Sequence, residues 1–378
     1  MKNKNIIVVF FLLLICSSCA KDDPKGKDPI RTVLVYMVAS NLGGNLQADL
    51  KEMEQVATKK NLNGGNLIVF YSSVTEQKVN GELFQFVEDS EGNISRKSIR
   101  KYEDVVTVSP DFMREIINNV TTEFVADSYG MIFSSHGTAW MPSNFSSMLR
   151  SFGEEKGKWM EINELAEAIP NNLFDFILFD ACSMASIECV YELKDKAEYI
   201  IASPSETLTT GFPYNVVLPY FFTRKVNLPE IAKGFYNYYN TGNSNSFGNI
   251  SVTKTNELEA LADITREIIS TAGMEAVYGL PIDNLQTLSN FLKSPTKLYD
   301  FGHVINELAT SEQYDRFQIA LKKAVTDTYY TTNLYCTQGG YYTVERFSGL
   351  SFYPFNKNLT TLNDWYKSNL KWYDRVYK

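Results

Sequence analysis

The chain has 378 residues, of which 44% are hydrophobic and 21% charged, so it can bury a large core and is not an intrinsically disordered polypeptide. Its formal net charge is -8 with a pI near 5.1, and it has no run of five or more Lys or Arg, which excludes the basic footprint of a nucleic-acid-binding protein. In chain order, the first segment carries Lys2 and Lys4, an unbroken apolar run from Ile6 to Ile15, and small residues before Cys19. A bilayer span needs about 20 apolar residues, so residues 1–18 read as a secretory signal peptide rather than an anchor helix. Cys16 and Cys19 have the spacing of a redox pair. They close an apolar signal region instead of sitting in a βαβ unit, so that reading is set aside.

This segment resembles the signal of bacterial lipoproteins, in which a cysteine after small residues becomes the lipid-bearing first residue of the mature chain. The resemblance assigns that role to Cys19, with Cys16 standing where relatives usually have Leu. The following Lys21-Asp22-Asp23 is similar to the short acidic signal that sends some Gram-negative lipoproteins to the cell surface. The expectation is a protein anchored to the outer membrane through Cys19 and exposed at the surface. Residues 19–30 are charged, contain Pro24 and Pro29, and read as the tether. Removal of residues 1–18 leaves Cys19, Cys182, Cys189 and Cys336. That is too few for a disulfide scaffold, so at least one thiol is kept for another purpose.

Structure is expected from Arg31–Ala39, a β-branched apolar run that reads as a strand. Residues 45–57 place Leu46, Leu50, Met53 and Val56 at helical spacing, and 66–73 read as the next strand. Residues 79–102 suggest a hairpin around Glu91-Gly92-Asn93, and a helix opens at Pro110. Tyr129–Gly137 is a further buried strand carrying His136. Residues 140–157 show no clear period, and 160–169 form a short helix. The run Phe176-Ile177-Leu178-Phe179 is continuously apolar, as in a strand buried on both faces of a parallel sheet. It ends at Asp180, with a helix expected over 183–194 and a strand over 198–203. This alternation predicts an α/β fold with a mostly parallel sheet flanked by helices on both faces. The core is expected over 31–220. Residues 221–378 are more helical, with strands at 249–255 and 349–355, and either extend that sheet or form a helical subdomain.

The chain has only two histidines, His136 and His303. His136 and Cys182 both fall at carboxyl ends of buried strands, the edge at which open α/β sheets bind ligands. An imidazole beside the thiol, together with a helix N-terminus after it, favours a nucleophilic thiolate. The N–H groups of Gly137 and Cys182 can face a developing oxyanion. Read singly, a free cysteine is often a small buried hydrophobe; the pairing at matching strand ends makes catalysis the stronger reading.

The segments VLVYMVASNLGGNLQADLKEME, YGMIFSSHGTAW, FDFILFDACSMASIECVYELKD, YIIASPSETLTTGFPY and GLSFYPF closely resemble, in order, the clostripain-like cysteine peptidases. The resemblance covers most of residues 31–355, and Asp-Ala-Cys followed by Met is its most specific element. It implies a caspase-like fold, Cys182 as nucleophile and His136 as general base and acid. Asp180 matches the acid at the floor of the S1 pocket, which implies protein or peptide substrates with Arg or Lys at P1. Glu206 is expected to line the same pocket. Relatives often read His-Gly-Gly-Gly-Trp where this chain has Thr138 and Ala139, a tighter loop. Relatives are commonly zymogens that cut themselves after a basic residue; the candidates are Arg150, Lys156 and Lys158, with Arg150 preferred. No organic cofactor is implied. Some relatives use calcium, but the chain has no EF-hand loop and no metal site is assigned.

Two other classes compete. One is a caspase-like lipoprotein that has lost activity and serves as a surface binding protein. The other is a thiol oxidoreductase using Cys182 and Cys189, whose seven-residue helical spacing is poor for a disulfide. His303 lacks the H-E-x-x-H of a zinc peptidase. The chain has no G-x-S-x-G, P-loop or G-x-G-x-x-G motif to support a serine hydrolase or nucleotide reading.

Overall fold

A computed structural model describes residues 31–75, 77–142, 151–242, 246–291, 296–337 and 340–378. The signal segment, Cys19, the tether and Arg150 lie outside the described residues. Strands β1 (Arg31–Val38), β2 (Asn66–Thr75), β3 (Lys78–Glu88), β4 (Ile94–Tyr102) and β5 (Ser128–Ser134) lead into a short hairpin of β6 (Phe152–Glu155) and β7 (Lys158–Met160). They are followed by β8 (Phe174–Asp180), β9 (Ala197–Ala202), β10 (Ile250–Lys254), β11 (Thr287–Asn290) and β12 (Lys297–Asp300). The last are β13 (Val325–Tyr329), β14 (Asn333–Tyr335), β15 (Tyr341–Thr343) and β16 (Ser351–Phe352).

Nine of these strands form one sheet in the order β13-β10-β9-β8-β5-β1-β2-β3-β4. The five central strands are mutually parallel, and β3, β4, β10 and β13 add antiparallel edges. Apolar runs without polar alternation suit this position because both faces are covered. In β1, Leu34, Tyr36 and Val38 enter the core on one face while Val33, Val35 and Met37 enter the core on the other. Helices Gly43–Val56, Tyr214–Phe221 and Leu228–Tyr239 cover that second face. Helices Pro110–Glu123, Leu258–Ala272, Ser311–Ala324 and Thr360–Asn369 contribute to the core on the first. Each fully buried large apolar side chain contributes about 1.5–3 kcal/mol.

Local chemistry fixes the register of the central strands. A Cβ on Gly130 in β5 would lie 2.2 Å from the Phe176 ring of β8, so only glycine lets that ring cross its register partner. At the opposite edge from the site, Arg31 donates to the carbonyls of Phe221 and Thr223, both at 2.8 Å, and to Asp175 at 3.1 Å. Ser109 caps the helix that opens at Pro110 by accepting from the Phe112 N–H. The β3–β4 hairpin turns at Gly92, whose φ is 87°.

In the second half, β10 and β13 extend the main sheet while the helices pack on its face and share its core. Three differences from the expected elements bear on the site. The strand carrying His136 ends at Ser134. The 349–355 run is reduced to two paired residues, Ser351 and Phe352. The helix expected from 183 starts only at Ile187, capped by Ser186.

Candidate active site

The chain runs from β1 outward to β2 on one side, then returns to β5 on the other side of β1 and continues through β8 to β9. The carboxyl ends of β1 and β5 therefore flank a topological switch point, where an open sheet leaves a crevice for a ligand. In the β5–β8 ladder Ser134 is the register partner of Asp180. His136 lies two residues beyond the first and Cys182 two beyond the second. Both emerge on one edge, and both line a cavity of about 40 Å³ together with Asp180, Asp49 and Gly211. Ser135 ties the edge together: its N–H donates to the Asp180 carbonyl at 3.3 Å and its hydroxyl to the Val38 carbonyl at 2.9 Å.

The His136 ring is oriented by a residue that the sequence did not single out. Its Nε2 lies 2.6 Å from Oδ1 of Asn41, in the turn after β1. A carbonyl oxygen only accepts, so Nε2 carries the hydrogen and the neutral ring keeps its lone pair on Nδ1.

Gly137 has no room for a side chain, since a Cβ there would lie 2.8 Å from the Cys182 carbonyl oxygen and 3.1 Å from both Ala181 Cβ and Met184 Sδ. Gly137 bridges to Phe152, but the bonds of that bridge run from Gly153 N–H to the His136 carbonyl and from Thr138 N–H to the Ser151 carbonyl. The N–H of Gly137 is thus left over, and so is that of Cys182; neither donates to a described residue. Two unengaged N–H groups beside a thiol are the donors an oxyanion needs. Ala139 adopts a φ of 58° and Ser183 one of 62°, the left-handed region that costs a residue with a Cβ about 1–2 kcal/mol. Ala139, next to the buried Trp140, bears this strain in the loop after His136.

The Cys182 thiol differs from expectation. It receives the Thr207 N–H at 3.3 Å and lies 3.5 Å from the Thr207 hydroxyl. Burial pushes the thiol up from its ordinary value; the Thr207 bonds oppose this, while Glu206 and Asp180 reinforce it. Because the following helix begins beyond Ser186, no helix N-terminus lies at Cys182 to favour a thiolate. Of the two supports expected for a thiolate, the helix N-terminus is therefore absent and burial favours the neutral thiol, which leaves the proton to be taken by a base.

Asp180 is 8% exposed. Its Oδ2 accepts from the Tyr214 hydroxyl at 3.0 Å and from the Phe212 N–H and Ser134 hydroxyl, both at 3.3 Å. Burial raises its carboxyl above the usual range, and these bonds restrain the rise. Glu206 is not among the residues that line the cavity. Its carboxylate instead receives the N–H groups of Asn290 at 3.2 Å and Thr337 at 2.9 Å, clamping β11 and the segment after β14 against the site loop. Expecting it in the pocket because it follows β9 overlooked the backbone donors that the second half supplies. Lys156 occupies the exposed turn of the β6–β7 hairpin, with a φ of 52° and its Nζ meeting the Gln77 carbonyl, and Lys158 opens β7 as the register partner of Glu155.

Cys189 is sealed in the core, unlinked to Cys182. His303 accepts the Gln286 N–H on Nδ1 at 3.1 Å and serves the second half of the fold. Among the described residues no group of three or more His, Cys, Asp or Glu converges as a metal site, and no helix is long and apolar enough to cross a membrane.

A histidine and a cysteine at paired strand ends, with two free N–H groups and an acid-lined cavity, form the arrangement of a thiol hydrolase. Residues 35–377 match the model of the Clostripain family, Peptidase C11. The chain belongs to the clostripain family of cysteine proteases. A zymogen C11 protease from Parabacteroides distasonis is 36% identical, covering 92% of this chain and 98% of that one with a TM-score of 0.82. The secreted C11 protease iotapain from Bacteroides thetaiotaomicron is 28% identical over 92% of this chain and 99% of its own, with a TM-score of 0.81. A structure of a secreted C11 cysteine protease from B. thetaiotaomicron with an irreversible peptide inhibitor is 30% identical, covering 92% of this chain and 98% of that one with a TM-score of 0.77. No curated protein matches the chain. The fold is accordingly caspase-like, and the chain is a cysteine-type peptidase of peptide substrates.

Proposed function

We propose that this cysteine protease is an endopeptidase that cleaves after Arg or Lys through a His136–Cys182 dyad. The observation that carries the reading is the Ser134–Asp180 register pair, which brings both residues to one cavity floored by an acid. Nδ1 of His136 takes the Cys182 proton as Sγ attacks the scissile carbonyl carbon and a C–S bond forms. The N–H groups of Gly137 and Cys182 hold the oxyanion. The intermediate collapses, the C–N bond breaks, and the amine leaves with the proton from His136. Water, deprotonated by His136, then attacks the thioester, the C–S bond breaks, and Cys182 recovers its proton.

A cation at P1 suits Asp180, whose charged form strengthens on meeting a guanidinium or ammonium. Self-processing after Arg150 is part of the reading. Lys156 lies in the turn of the β6–β7 hairpin and Lys158 is already paired in β7, so that hairpin would have to open before a protease could bind either backbone. Anchoring through Cys19 to a Gram-negative outer membrane, facing outward, also belongs to it and rests on the N-terminal segment.

The test uses residues 20–378 with peptides bearing Arg, Lys or a neutral residue at P1, Cys182→Ala alongside, and chain ends read by mass spectrometry. The reading requires turnover after Arg or Lys that vanishes in the variant, and a mature end after Arg150 that Arg150→Ala removes. Folded, processed protein with no thiol-dependent turnover would instead favour a surface binding protein.

A further inference from the structure

Asp49 is a buried acid that the reaction above does not use. It sits on the inward stripe of helix Gly43–Val56 with Leu46, Leu50 and Met53, where helical spacing calls for an apolar residue. It is only 2% exposed, and no hydrogen bond or ion pair with a described residue compensates it. A buried carboxylate left in this way is costly, and such groups persist where function needs them.

The side chain faces the cavity that holds His136, Cys182 and Asp180. Gly211, with a φ of 73°, lies between the two acids: a Cβ there would be 3.3 Å from Asp49 Oδ1 and 2.9 Å from Asp180 Oδ2. One turn along the same helix, Glu52 Oε2 is buried without a partner. The cavity lining contains no Lys or Arg, and the acids do not converge as a metal site. The two aspartates are also differently engaged. Oδ2 of Asp180 already accepts three donors, whereas both oxygens of Asp49 remain for an incoming one.

We propose that Asp49 is a second P1-specificity residue, and that the cationic P1 side chain enters between Asp49 and Asp180 and donates to both. This rests on the reading of the cavity as the S1 pocket. Removing Asp49 therefore weakens binding of basic P1 residues selectively, chiefly through KM.

A pH signature follows from the same geometry. The groups facing Asp49 are Asp180, Glu52, Tyr214 and Tyr239, with His136 and Cys182 on the cavity wall. Burial and the repulsion of Asp180 and Glu52 raise the Asp49 carboxyl far above the usual range, further than that of Asp180. The pair thus shares a proton near neutrality. A bound cation expels it, so affinity for a basic P1 residue rises with pH until the pair is ionised.

The experiment measures kcat and KM of wild type, Asp49→Asn and Asp180→Asn for Arg, Lys and neutral P1 peptides between about pH 6 and pH 9, normalised by titration of the reactive thiol. The expected result is a fall of about tenfold or more in the Arg-to-neutral ratio of kcat/KM in Asp49→Asn, with loss of the pH dependence of KM. A wild type without basic preference overturns the S1 reading and the role of Asp49 with it. A wild-type preference that Asp49→Asn retains, with the same pH dependence, overturns the role of Asp49 alone. If Asp49→Asn does not fold, the wild type decides: KM for the Arg peptide that stays flat above about pH 7, as for the neutral peptide, overturns the proposal.

Discussion

Gly137→Ala puts the smallest side chain at the point of closest approach between the histidine loop and the cysteine loop. The added Cβ would meet the Cys182 carbonyl oxygen at 2.8 Å, against the 3.4 Å at which ordinary contact begins. That oxygen is backbone and cannot swing away, and Ala181 Cβ and Met184 Sδ close the other directions at 3.1 Å. The two loops must separate by several tenths of an ångström, moving the Gly137 and Cys182 N–H groups proposed for the oxyanion relative to Sγ. Losing one such donor costs about 10²–10³ in kcat, or about 2.7–4 kcal/mol. Overpacking costs a further ~1–3 kcal/mol of stability. The assay is kcat and KM on an Arg peptide, with thermal unfolding to separate the two effects. The expected outcome is a fall in kcat of about a hundredfold with KM little changed. An unfolded-free sample with kcat near wild type would refute the placement of the Gly137 N–H in the oxyanion site.

Three further outcomes are expected. Alkylation of Cys182 by iodoacetamide should accelerate with pH to beyond the ordinary thiol value of about 8.5, because burial raises this thiol; a plateau reached below neutrality would mean a preformed ion pair. Asn41→Ala removes the acceptor of the His136 Nε2–H and should lower kcat by about threefold to tenfold, which steady-state kinetics would read; an unchanged kcat would remove Asn41 from the site. Glu188 is fully buried under the Tyr353 N–H and Tyr366 hydroxyl, and burial pushes its carboxyl up to about 7. A raised folded value means its stability contribution is present below the unfolded value of about 4.3 and lost as pH rises through 7. Glu188→Gln should therefore gain thermal stability relative to wild type at about pH 8 and not at about pH 5; a gap independent of pH would contradict this.

The central strands were readable because burial on both faces leaves apolar runs in the sequence, as in Val33–Val38 and Phe176–Phe179. Their ends named the edge at which His136 and Cys182 meet. The edge strands were harder to see. Val325–Tyr329 alternates buried and exposed positions within a polar sequence, and Ser351–Phe352 is held by only two register pairs. The helix after Cys182 was anticipated too early because Ser183–Ser186 is apolar enough to continue it. Its loop conformation instead depends on distant carbonyls, Ser183 N–H donating to Ser205 and Ala185 N–H to Ser203. Glu206 was misplaced for the same reason, since its donors come from residues more than eighty positions on. Asn41 and Asp49 carried no motif. The one available signal was an acid at Asp49 on an otherwise apolar helical stripe.

The dyad is tested most directly by capture of the nucleophile. A peptidyl ketone with Arg at P1 and a leaving group on the carbon next to the carbonyl would be incubated with the protein, and the adduct mapped by mass spectrometry. The predicted result is a single adduct on Cys182, sharply slowed in His136→Ala and slowed for a neutral P1 analogue. Labelling of another residue, or peptide hydrolysis that persists in Cys182→Ala, would contradict it.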